Sequence, residues 1–185
     1  EDFKNFTENS DLSKLSFKND NDWLRTISNW RKLFYENKNI EIIDDGKINP
    51  YEFFKTLSNN FYKESLIFID TGCSIAWAMQ NFNVKKGIRV FHDFNNTAMG
   101  WALPATIGGY FADPSKNLIS IVGDGSFMMS LQELATIMHH KIKIKLIIIN
   151  NEGYSMIKQT QEQWLNSKYI ASSYNGGISF PDYQK

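Results

Sequence analysis

The sequence predicts an α/β fold, a doubly wound parallel sheet with helices on both faces. Three observations predict it. From about residue 50 onward, short apolar runs alternate with stretches of helical spacing. The runs are apolar throughout, as in parallel strands covered on both sides. Three of them end in small polar stretches that contain glycine, the place where open parallel sheets bind ligands.

The first twenty residues are rich in Asn, Asp, Ser and Lys and read as a linker. Asp22 is expected to cap a helix from Trp23 to Tyr35, with Trp23, Ile27, Trp30 and Phe34 at helical spacing. Asp44-Asp45-Gly46 reads as a turn. Asn49-Pro50 then reads as a helix start, an Asn cap followed by Pro at the first position. Tyr51, Phe54, Leu57 and Phe61 supply that helix's apolar stripe. Leu66–Ile69 is a buried strand, Ser74–Asn81 a helix and Ile88–Phe91 a weaker strand. Met99–Phe111 is a small-residue apolar helix that tolerates Pro104 in its first turns. Leu118–Val122 is a strand running into Gly-Asp-Gly, and Leu131–His140 a helix. Ile144–Ile149 is a strand ending in Asn-Asn, and Tyr154–Trp164 a helix.

The chemistry lies at the strand ends Asp70-Thr71-Gly72-Cys73-Ser74, Gly123-Asp124-Gly125-Ser126 and Asn150-Asn151-Glu152-Gly153. Glycine lets the backbone approach a ligand, and the helices that follow aim free N–H groups at anions. Asp124 offers a carboxylate and Asn151 an amide oxygen. Such hard oxygen donors suit Mg²⁺ when it also bridges phosphates. The residues therefore point to a Mg²⁺-diphosphate site. Other phosphate motifs fail: Met128 stands where a dinucleotide fingerprint needs glycine, and neither a Walker Gly-Lys-Ser/Thr nor His-Glu-x-x-His occurs.

Gly123-Asp124-Gly125, followed after 25 residues by Asn151, resembles the signature of thiamine-diphosphate enzymes. Residues 123–136, Gly-Asp-Gly-Ser-Phe-Met-Met-Ser-Leu-Gln-Glu-Leu-Ala-Thr, are similar to the acetolactate (acetohydroxyacid) synthase branch, as are residues 98–108. The resemblance implies a thiamine-diphosphate-binding fold over 41–185, truncated at its C-terminus. It also implies that 1–40 is a linker and helix from an upstream middle domain. Asp124 and Asn151 would bind Mg²⁺ through side-chain oxygens and Gly153 through its carbonyl. Gly72, Cys73, Ser74, Gly123, Gly125 and Ser126 would hold the diphosphate. Met99 would wedge between the cofactor rings, and the Thr97 carbonyl would accept from the pyrimidine amino group. Ser155 and Met156 would line the diphosphate and substrate side. The implied reaction is decarboxylation of a 2-keto acid such as pyruvate, with transfer of the acyl carbanion to a carbonyl acceptor.

The family's catalytic glutamate belongs to an N-terminal pyrimidine-binding domain, and flavin (FAD) in true acetolactate synthases to the middle domain. Neither domain is among these residues. The chain is therefore expected to be a piece of a longer homo-oligomeric enzyme, inactive alone. Ser74 stands where acetolactate synthases usually have histidine, and Thr160 where they have a tryptophan. Ile157 stands where pyruvate decarboxylases have glutamate, which disfavours simple pyruvate decarboxylation. The rivals are a lyase or transferase of a cell-surface polysaccharide sugar pathway, and a non-catalytic module that kept the fold.

Composition sets outer bounds. Lys plus Arg and Asp plus Glu number 20 each, which argues against a nucleic-acid or anionic-membrane binder. Leu146–Ile149 is the longest aliphatic run, far short of a membrane span. Cys73 is the sole cysteine; with no signal peptide in evidence, a cytoplasmic setting is expected. Cys73 reads as a packed small residue rather than a nucleophile. His139 and His140 read as surface residues at a helix end. Glu133 is expected mid-helix in a structural hydrogen bond. Lys141, Lys143 and Lys145 read as a solvated strand entry, and Tyr154, Trp164 and Tyr169 as part of a pocket or a dimer face.

Overall fold

A computed structural model describes residues 21–35, 47–61 and 64–183. The chain divides into two units, Glu1–Asp45 and Gly46–Lys185. In the first, helix α1 spans Asn21–Tyr35. It begins one residue before Asp22, so Asp22 sits in the first turn instead of capping it. There its carbonyl accepts the Thr26 hydroxyl at 2.8 Å. Trp23 and Trp30, two turns apart, meet edge to face at 5.6 Å. The Phe34 side chain and the Asp44-Asp45-Gly46 turn lie outside the described residues.

The second unit opens with α2, Pro50–Asn60. Asn49 caps it as expected, its Oδ1 accepting the Tyr51 and Glu52 amides at 2.9 and 3.3 Å. Four strands follow, β1 Ser65–Ile69, β2 Ile88–Phe91, β3 Asn117–Gly123 and β4 Ile144–Ile149. All pair in parallel, in the order β2-β1-β3-β4. Between them run α3 Cys73–Asn81, α4 Ala102–Ala112, α5 Asp124–Ser130 and α6 Glu133–His139, and α7 Ser155–Trp164 follows β4. The doubly wound fold read from the sequence is thus the observed one.

Strand periodicity splits the core in two. Leu66, Phe68, Leu118 and Val122 face one way and pack with Ala102, Leu103 and Ile107 of α4. Ile67, Ile69, Ile119 and Ile121 face the other way and pack with Phe54 of α2 and Ala78 of α3. Gly109 lets α4 approach the sheet, because a Cβ there would lie 2.7 Å from the Phe68 ring. From β1 the chain crosses one way to β2, then returns past β1 to β3. That reversal is a topological switch point, and it opens a crevice beyond the ends of β1 and β3. At the other side of the sheet β4 pairs only with β3 among the described residues.

Three details differ from the sequence reading. The helix expected from Met99 begins at Ala102, with Met99 in the turn before it. The helix expected over 131–140 begins at Glu133, so Glu133 is its first residue rather than a middle one. Glu133 still makes the expected structural bond, accepting from Thr136 Oγ1 at 3.3 Å. A further helix, α5, starts directly at Asp124.

The turn into α4 is fixed by Asp70, the first residue after β1, which is fully buried. Its Oδ1 accepts the Thr71 and Gly100 amides at 3.0 and 3.1 Å, and its Oδ2 the Ala102 amide at 2.8 Å. Asp70→Asn replaces one acceptor by an amide group facing the Ala102 or Gly100 donor. The variant is expected to lose about 2 kcal/mol or more, read as a lower urea midpoint with unchanged slope.

Candidate functional site

β1, β3 and β4 end at Ile69, Gly123 and Ile149, and the turns beyond them open on one cleft of about 540 Å³. Every residue to which the resemblance assigns a cofactor or metal contact lines it. The turn after β1 contributes Gly72, Cys73 and Ser74, and the approach to α4 contributes Thr97 and Met99. The turn after β3 contributes Gly123, Asp124, Gly125 and Ser126. The segment after β4 contributes Asn151, Gly153, Ser155 and Met156. Ile157 also lines the cleft. Thr160 lies outside its lining, exposed, with its hydroxyl on the Met156 carbonyl at 3.1 Å.

The cleft suits an anion. Helices α3, α5 and α7 all begin at it, and none has a side-chain cap. Apart from the Gly125 amide, which Asp124 Oδ1 accepts, their first N–H groups and dipoles therefore face the cleft without a side-chain partner. The glycines are not equivalent. Gly72 has φ +89°, a region that side chains disfavour. A Cβ at Gly123 would meet nothing within 4 Å, so its backbone forms an open floor. A Cβ at Gly125 would lie 2.1 Å from the Tyr154 ring, so Gly125 is closed over by protein. Thr97 has φ +49°, a rare conformation for a β-branched residue, and its amide donates to the Asp93 carbonyl at 2.8 Å.

One wall of the cleft carries the oxygen donors, buried at Asp124 and exposed at Asn151. Asp124 is 2% exposed, and its two oxygens accept the Gly125 amide at 2.7 Å and the Gly153 amide at 3.2 Å. Each keeps a further lone pair for a cation. Asn151 donates through Nδ2 to Ser155 Oγ at 2.8 Å, which orients its amide group. One carboxylate, one amide oxygen and one backbone carbonyl make a hard donor set of the kind Mg²⁺ takes beside phosphate. No group of three His, Cys, Asp or Glu that could hold a metal occurs among the described residues. No described helix is long and apolar enough to cross a membrane.

Sequence reasoning assigned no role to Asp70 or Tyr183, and none to Tyr154 beyond a pocket or dimer face. Tyr183 donates to the Asp124 carbonyl at 3.1 Å and packs on Phe127 at 5.8 Å. Burial, and then the nearby Asp124 charge, hold its hydroxyl in the protonated form. Asp70 had one visible signal, an acid directly after an all-apolar strand. Tyr183 had none, since its partner lies 59 residues away.

The geometry defines an α/β domain with a ligand cleft at the switch point of its parallel sheet. Residues 70–185 match the thiamine pyrophosphate enzyme family at its C-terminal TPP binding domain, and the chain belongs to that family. It is 31% identical over 158 residues to an acetolactate synthase large subunit of Lactococcus lactis, covering 84% of this chain and 26% of that one. It is 34% identical over 162 residues to an acetolactate synthase large subunit of Cyanidium caldarium, covering 87% and 26%. It is 32% identical over 149 residues to a probable acetolactate synthase large subunit of Methanocaldococcus jannaschii, covering 75% and 25%. The chain spans about a quarter of the length of these relatives.

The two glycines of the Gly-Asp-Gly turn should separate on substitution. Gly123→Ala is expected to stay within about 1 kcal/mol of wild type, since its φ of −75° suits alanine. Gly125→Ala must displace Tyr154 and is expected to lose about 1–3 kcal/mol; thermal melting of both variants checks this. At Cys73 burial raises the thiol pKa and outweighs the lowering by its backbone hydrogen bond. Less thiolate then exists at pH 8 than on a free cysteine. Iodoacetamide should therefore label Cys73 more slowly than glutathione, with a rate still rising at higher pH.

Proposed function

We propose that this chain is the cofactor-binding domain of a thiamine-diphosphate-dependent 2-keto acid decarboxylase and carboligase of acetolactate synthase type. The observation that carries the reading is the convergence of the separate motif residues on one cleft at the switch point of the sheet. The family membership supplies the cofactor class.

In this reading Asp124, Asn151 and the Gly153 carbonyl hold Mg²⁺. Gly72, Cys73 and Ser74 receive the diphosphate from one side, and Gly123, Gly125 and Ser126 from the other. Met99 would contact the rings of the cofactor, and the strained Thr97 would offer its carbonyl to the pyrimidine. Ser155 and Met156 border the substrate, a 2-keto acid such as pyruvate. The bound cofactor supplies an electron sink for the carbanion left by decarboxylation. The chain's own contribution is to seat the cation, to bind the diphosphate through backbone N–H groups and hydroxyls, and to exclude water from one side. The pyrimidine half of the site belongs to an N-terminal partner domain, and the parent enzyme is at least a dimer. Flavin, where the parent uses it, lies outside this domain.

Calorimetric titration of thiamine diphosphate tests the reading. Heat of binding is expected with Mg²⁺ and should vanish on adding EDTA. Asp124→Ala should weaken binding at least about tenfold, the loss of one charged ligand bond. Equal binding with and without Mg²⁺, or by Asp124→Ala, would overturn the ligand assignment.

A further inference from the structure

The segment that carries Gly153 is held by more than the sheet. After α7 the chain turns back, and residues 170–173 come to lie against the Gly153-Tyr154 turn. The Ser172 carbonyl accepts the Tyr154 amide at 3.0 Å, and Gly153 pairs with Ser173 in an antiparallel bridge. A Cβ at Gly153 would lie 2.6 Å from that same carbonyl oxygen, so the two backbones are in close contact.

Gln161 of α7 bonds the returning chain through its side chain. Although a primary amide on a helix, it is only 7% exposed. Its Nε2 donates to the Ile170 carbonyl at 2.9 Å, and its Oε1 accepts the Ser172 hydroxyl at 2.5 Å. Ser172 is itself fully buried. The two bonds fix the orientation of the amide, because a carbonyl oxygen can only accept. Neither a carboxylate nor an aliphatic side chain could make both. The backbone around this contact is strained. Asn166, Ser167 and Ala171 have φ of 50°, 59° and 51°, and Glu152, just before Gly153, has φ 57°. Side chains adopt that region only where the surroundings impose it.

We infer that Gln161 is a positioning residue for the cofactor cleft. Through Ser172 it clamps the returning chain onto the Gly153-Tyr154 turn, and so sets Gly153 against the Asp124 carboxylate. The inference rests on the reading of Asp124 and Gly153 as the cation end of the cleft. It adds a constraint from a side chain that lines no part of that cleft.

Amide hydrogen exchange on the intact chain, without ligand, tests the clamp. Gln161→Leu keeps the volume and removes both bonds. The Gly153 and Tyr154 amides should then exchange about tenfold faster, the factor expected for one net hydrogen bond. Exchange in β1 and β3 should not change. Unchanged exchange at 153–154, or a uniform rise that includes β1 and β3, would overturn the inference. Ser172→Ala should reproduce the local effect. Thiamine diphosphate titrations supply the second readout: Gln161→Leu should need more Mg²⁺ than wild type for half-saturation. An equal Mg²⁺ requirement in the two proteins would overturn the clamp alone. A wild type that binds no thiamine diphosphate would overturn the reading of the cleft, and with it the role of the clamp in cofactor binding.

Discussion

The carboxylate of Asp70 is the tie on which the rest of the site depends. It leaves β1 at the point where the sheet ends and the crevice begins. Its own amide still belongs to the sheet, donating to the Ile121 carbonyl at 2.8 Å. Its side chain belongs to the other wall, through Gly100 and Ala102. A carboxylate this deeply buried is tolerable only when it is hydrogen-bonded, and three backbone donors serve it. Once that arrangement is set, the Thr97–Met99 turn has one place to be, beside the Gly72 turn.

Asp124 repeats the device one strand over. Its carboxylate joins the start of α5 to the segment after β4 through the Gly153 amide. Two buried acids thus tie the end of β1 to the turn into α4, and the end of β3 to the segment after β4. The difference between them lies in what they face. Asp70 bonds only to backbone groups of the wall, whereas Asp124 borders open space. That difference leaves Asp124 open to the cleft, whereas Asp70 serves the scaffold alone.

The sheet was legible because its signal is local. Ser65–Ile69 and Ile144–Ile149 are almost uninterrupted apolar runs, and such runs form buried parallel strands wherever they sit. The Asn49-Pro50 start was legible for the same reason, since a cap acts within three residues. The residues that line the cleft were legible through the strand-end motifs and their resemblance to a long motif, not through periodicity. What escaped was short or distant. Helix α5 has seven residues, too few to show a period. Asp70 reaches partners 30 and 32 residues away, and Gln161 reaches across a turn whose shape no propensity describes. The crowding of Gly125 by Tyr154 was hidden too, because glycine in a motif reads the same whether its missing side chain leaves room or is needed as room.

The outer side of β4 has a bearing on how the protein behaves at high concentration. Leu146-Ile147-Ile148-Ile149 is the kind of segment that recruits a foreign strand, and its edge has no neighbour among the described residues. Lys141, Lys143 and Lys145 stand exposed at the entry to that strand. A second copy approaching edge to edge would bring its own lysines against them. The row of charge lines no part of the cleft, and its like-charge repulsion opposes such pairing. Its strength falls as salt screens it.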